Sequence, residues 1–130
     1  LLKFHDVTEP SPGIIPPGDE HVGDLLRFIG DCTDGESLLV HCMAGISRST
    51  ATAFIVACYR NRRVTELAIA QELRRVAPLA RPNGSLIAIA DRLMQRDGRM
   101  WRAFADTFAL LDWCDVYENV PFELDSSQLS

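Results

Sequence analysis

The run from His41 to Thr50, His-Cys-Met-Ala-Gly-Ile-Ser-Arg-Ser-Thr, constrains this chain more than any other stretch. The short apolar segment Leu38-Leu39-Val40 leads into it, and the apolar stretch Ala51 to Tyr59 leads out. The pattern predicts a buried strand over Ser37 to His41, a tight loop, and a helix from Ser47 to Asn61 that is apolar on nearly every face. In such a loop successive backbone N–H groups converge, and the helix N-terminus adds its positive end. Gly45 lets the backbone turn so that these amides point inward. Arg48 closes the ring with a planar, two-pronged donor that matches phosphate oxygens. Cys42 sits at its floor.

The electrostatics then give the chemistry. A free thiol ionises near pH 8.5, but a helix N-terminus and a neighbouring cation lower that to roughly 3.5–7.5. Cys42 is therefore expected to be a thiolate aimed at whatever the loop holds. A phosphate monoester would present phosphorus to the sulfur, pass through a phosphocysteine and be released by water. Ser49 is placed to hydrogen-bond the sulfur and ease its departure, and His41 to orient loop carbonyls. The phosphate-binding loop is Met43, Ala44, Gly45, Ile46, Ser47 and Arg48. A lone Cys is more often a buried structural thiol; here Gly45, Arg48 and Ser49 in register argue otherwise.

His41-Cys42-x-x-Gly45-x-x-Arg48-Ser49 resembles the signature of the cysteine-dependent protein tyrosine phosphatases, in particular the dual-specificity branch and its compact bacterial relatives. Arg74-Arg75, a gap, then Pro82-Asn83 and an apolar helix is similar to a downstream segment of that branch. The resemblance spans about Leu1 to Gly98. It implies an α/β fold with a central, mostly parallel sheet flanked by helices, carrying a phosphatase domain over residues 1–98. Residues 99–130 then form a C-terminal helix and tail packed on the same domain. It also implies a proton donor, an Asp on a loop upstream of the nucleophile. Asp6 fits, after the extended run Leu1 to His5 and before a loop from Val7 to Gly18 that holds four Pro; Asp19, Asp24 and Asp31 are the alternatives, with Asp19 reading as a helix N-cap and His5 as a neighbour that tunes or replaces Asp6. Rhodanese-like enzymes also place a Cys loop before a helix but lack the His-Cys start and Arg-Ser ending. Further strands are expected ahead of Leu1, where the chain starts without Met.

The apolar spacing marks four more helices. Val22, Leu25, Leu26 and Ile29 define one from Asp19 to Asp31. Thr65 caps the next, with Ile69, Leu73 and Val76 inward and Pro78 as its stop. Asn83 caps another, with Leu86, Ile89, Ala90, Leu93 and Met94 inward and Gly98 at its end. Trp101, Phe104, Ala105, Phe108 and Leu111 mark the last, Arg99 to Asp112. The arginines Arg60, Arg62, Arg63, Arg74 and Arg75 read as solvated helix charge, with Arg81 reaching the substrate mouth as an open alternative.

At 130 residues, 47% hydrophobic and 24% charged, the chain is one domain with a real core. A formal charge of −5 argues against nucleic acid or an anionic membrane surface as partner. No apolar stretch reaches the length of a membrane span. The four cysteines Cys32, Cys42, Cys58 and Cys114 show no metal-ligand spacing. No metal or cofactor is expected. Cys58 reads as core, and a protective Cys32–Cys42 disulfide as an open alternative. A thiolate nucleophile implies a reducing compartment, the cytoplasm. The loop holds no Lys and no second Arg, which favours a singly phosphorylated substrate, with phosphotyrosine on a protein leading. Two alternatives stay open: a phospho-binding module without turnover, and a phosphatase for a small-molecule or lipid phosphate. Oligomeric state is unassigned.

Overall fold

The computed structural model of the chain describes residues 2, 12–13, 15–32, 37–42, 46–108 and 122–125. These form five helices: α1 (Asp19–Asp31), α2 (Arg48–Arg60), α3 (Glu66–Val76), α4 (Gly84–Leu93) and α5 (Arg99–Phe108). Helix α2 packs on α1, α3 and α4, and α5 lies across α3 and α4.

The α/β expectation is overturned. Among the described residues there is no strand and no sheet. Residues 37–42 form no strand, and Leu39, expected in a sheet interior, is 91% exposed. The reason is physical: a strand exists only through the ladder it makes with neighbours. No other described segment runs alongside this one as a ladder partner. The strand predicted over Leu1 to His5 lies outside the described residues apart from Leu2.

The helices themselves follow local rules. Pro16-Pro17-Gly18 precede α1, and the N-cap is Gly18, one residue before the expected Asp19. His21 Nδ1 accepts the Gly18 N–H at 3.0 Å, one half of a capping box. Thr65 caps α3 through Ala68 N–H, and Asn83 caps α4 through Leu86 N–H, both at 3.2 Å. Each such cap is worth about 1 kcal/mol. Helix α3 stops at Val76, ahead of Pro78.

Phe54, Ile55 and Cys58 of α2 centre the core with Val22, Ile69, Leu73, Ile87 and Met100. Full burial of a large aliphatic or aromatic side chain contributes roughly 1.5–3 kcal/mol. Two predicted faces are rotated. Helix α4 buries Leu86, Ile87, Ala90 and Asp91, leaving Leu93 exposed. Helix α5 buries Met100, Ala103 and Phe108, leaving Trp101 exposed. Helix α4 also ends at Leu93, short of Gly98. Its exit turn holds Gln95 and Asp97 at positive φ (56° each), then Gly98 at 79°.

Asp91 faces inward on α4. Its carboxylate accepts Gly98 N–H at 2.7 Å, Met100 N–H at 2.7 Å and Trp101 N–H at 3.1 Å. A buried carboxylate thus caps the next helix from within the core. Gly84 lets α5 approach, since a Cβ there would stand 3.1 Å from Phe104 and 3.2 Å from Trp101.

A second buried polar cluster joins α3 to the α4–α5 turn. Glu66 accepts from Arg96 at 2.9 Å and from Arg99 at 3.2 Å, and Arg96 also donates to Cys58 O at 2.7 Å. Burial alone would push the Glu66 carboxyl up. Its backbone N–H and the two guanidinium groups outweigh that and hold its pKa below the ordinary carboxylate value. Glu66→Gln is expected to destabilise the fold by roughly 3 kcal/mol at neutral pH. A depressed folded-state pKa means that this stabilisation is complete above the unfolded pKa and fades as pH falls through the folded one. Urea titrations of both proteins between pH 7 and pH 3 should therefore converge at the acid end. Cys58, by contrast, is pushed up to about 12, chiefly by burial, and is the inert core thiol expected.

Candidate active site

Cys42 ends the segment 37–42, and Arg48 and Ser49 open α2. Cys42 Sγ lies 3.3 Å from Ser49 Oγ, the thiol donating to the hydroxyl. With a thiolate the hydroxyl donates instead. Cys42 is half-buried, Ser49 is buried at 6% exposure, and Arg48 is half-buried as the first helical residue. Thiol, hydroxyl and guanidinium-bearing residue are thus gathered at one helix N-terminus, where the helix field favours negative charge.

Ile46 and Ser47 are half-buried and lead directly into α2, with Ser47 at its N-cap. His41 is exposed. Met43, Ala44, Gly45, His5 and Asp6 lie outside the described residues. Of the alternative acids, Asp19 pairs with Arg92 and Asp24 with Arg27, both on the surface, and Asp31 is exposed at the end of α1. No disulfide joins Cys32 and Cys42. Cys114 is outside the described residues.

Sequence reasoning missed what braces the loop. Arg81 N–H donates to Ile46 O at 2.9 Å, and Asn83 N–H donates to Ser47 O at 3.2 Å. Thr50, wholly buried, donates its hydroxyl to Ile46 O, with Ser47 O also 3.1 Å away. The available signal was the spacing: Thr50 sits four residues after Ile46, one helical turn, where a threonine hydroxyl reaches back to a carbonyl.

Arg74 also departs from the solvated role expected of it. It donates to Pro78 O at 2.7 Å, Ala80 O at 3.3 Å and Thr107 O at 3.5 Å, with its guanidinium 4.5 Å from the centre of the Phe108 ring. Burial, and then the Arg81 charge, lower its pKa. Arg75 keeps to the surface, donating to Glu72 at 2.9 Å.

Among the described residues no group of three or more His, Cys, Asp or Glu side chains is placed to hold a metal ion. Nor is any helix among them long and apolar enough to cross a membrane.

Part of the chain is similar to the dual specificity protein phosphatase 22 of Mus musculus, 39% identical over 62 residues, covering 38% of this chain and 34% of that protein. The chain thus spans about a third of the length of the curated relative it matches. No family model matches the chain, and no solved structure matches it. The likeness supports a distant relationship to phosphatases and goes no further.

Proposed function

We propose that the protein is a phosphate monoester hydrolase of the cysteine-dependent kind, working through a phosphocysteine. The observation that carries this reading is the 3.3 Å contact between Cys42 Sγ and Ser49 Oγ at the start of α2, beside Arg48. The partial similarity to a dual specificity phosphatase supports it.

In this reading Arg48 and the loop amides grip three phosphate oxygens and leave the fourth, ester oxygen in line with the sulfur. Helix and guanidinium together keep the sulfur ionised. The S–P bond forms as the P–O bond to the alcohol breaks, and Asp6 delivers the proton that the departing alkoxide or phenoxide needs. Asp6, now a carboxylate, takes a proton from water as its oxygen attacks phosphorus; the S–P bond breaks, inorganic phosphate leaves, and the Ser49 hydroxyl bonds to the departing thiolate. No metal is required by this sequence of steps. The favoured substrate is phosphotyrosine on a protein, because the loop carries a single Arg and no Lys to meet additional phosphates. The proposed setting is a reducing compartment such as the cytoplasm.

The test is hydrolysis of an aryl phosphate in excess chelator. Turnover is expected, with inhibition by vanadate. Asp6→Asn should lower kcat by roughly 10²–10⁴, the usual worth of a positioned acid, and should remove the basic limb of the kcat profile. An unchanged rate reassigns the donor. Tight binding of phosphotyrosyl peptides without any turnover would instead favour a phospho-binding module.

A further inference from the structure

We propose that Thr50 is a positioning residue that, with the backbone of Arg81 and Asn83, presets the direction of the loop amides before any anion arrives. This inference rests on the phosphatase reading of the site and explains how its cradle is held.

A trans peptide is planar, so the C=O of one residue and the N–H of the next point in opposite directions. Fixing a carbonyl therefore fixes the amide that follows it. The Ile46 carbonyl is held twice, by Arg81 N–H at 2.9 Å and by the Thr50 hydroxyl. The next amide, Ser47 N–H, is thereby turned away from the 81–83 segment. The Ser47 carbonyl is likewise held by Ala51 N–H at 3.0 Å and Asn83 N–H at 3.2 Å, with the Thr50 hydroxyl 3.1 Å off. Arg48 N–H is turned the same way.

Thr50 is the hinge of this arrangement. It is wholly buried, so water does not compete for its proton. Its partner, Ile46, precedes α2, whereas the back-bond from Thr52 to Arg48 O, at 2.8 Å, stays inside the helix. Thr50 thus extends helical rigidity two residues upstream, into the loop. Rotating either peptide plane would break buried hydrogen bonds, each costly to leave unmade. An oxyanion site gains most when its donors need no reorganisation, and here the core, not the ligand, orients them.

Thr50→Val deletes the hydroxyl and keeps the shape. Tungstate, an oxyanion that is not turned over, should bind the variant about tenfold more weakly, as the loss of one oriented contact implies. Iodoacetate alkylation of Cys42 against pH, corrected with Cys42→Ser, should show its ionisation about one pH unit higher, the same tenfold in equilibrium terms. Thr50→Ser should recover both. Should Thr50→Val fail to fold, the Ser and Ala variants at this position make the same comparison, since Ser keeps the hydroxyl and Ala lacks it. Wild-type-like tungstate affinity and alkylation profile in a folded variant lacking the hydroxyl would overturn the proposal. If the wild-type protein itself neither binds tungstate nor shows an acidic Cys42, the phosphatase reading is what falls.

Discussion

Cys42→Ser is expected to abolish phosphate ester hydrolysis, by about 10⁴–10⁶-fold, the scale at which loss of a nucleophile acts when the other groups remain. The size follows from the division of labour. In the proposed reaction the sulfur alone forms the bond to phosphorus, and neither Ser49 nor Arg48 replaces it. A serine hydroxyl at the same place ionises far above neutral pH. The variant should nonetheless retain phosphate, because the guanidinium and the braced amides are untouched. Phosphotyrosyl peptide titrated by calorimetry against Cys42→Ser should show binding where steady-state assays show no product. Residual turnover near the wild-type level would mean that another group attacks, and the reading built on the Cys42–Ser49 contact would be withdrawn.

Arg48→Ala carries the second large effect. Arg48 is the one Lys or Arg in the 41–50 run, and in the proposed reaction its guanidinium meets the anion. In phosphoryl transfer, an arginine that meets the transferring group contributes about 10³–10⁵ to kcat. A loss of that order in kcat/KM is expected, together with weaker binding of phosphate itself. Arg48→Lys should recover little, since an ammonium keeps the charge but not the flat pair of parallel donors. Recovery by Lys to near wild-type kcat/KM would show that charge alone suffices. Because Arg48 opens α2, thermal melts of both variants must accompany the kinetics, so that a loosened helix is not mistaken for a lost contact.

The helices were legible from apolar spacing because that spacing reports directly on burial. Val22 and Ile29, or Ile69 and Leu73, lie a helical repeat apart and all are buried. Caps were legible at Thr65 and Asn83, where the required oxygen precedes an apolar run. The sheet was not. Leu38-Leu39-Val40 is too short to choose between a strand and a loop that exposes Leu39, and the choice depends on partners elsewhere in the chain. The inward roles of Asp91, Glu66, Arg96 and Arg74 were also hidden. A charge on an amphipathic helix looks the same in sequence whether it faces water or a buried amide. At the site, the Cys-to-Ser spacing was readable because its chemistry is local. The bracing of Ile46 and Ser47 was readable only in part, since half of it comes from backbone amides more than thirty residues downstream, which carry no side-chain signal.

The Arg74 guanidinium has a mechanical corollary. One planar group spans the exit of α3, the Pro78–Ala80 turn and the last turn of α5, and the residue after that turn is Arg81, whose amide grips Ile46. The last described turn of α5 and the segment that braces Ile46 are thus coupled by a single tie-rod. In the proposed enzyme, prising that turn away would slacken the grip on Ile46 without touching it.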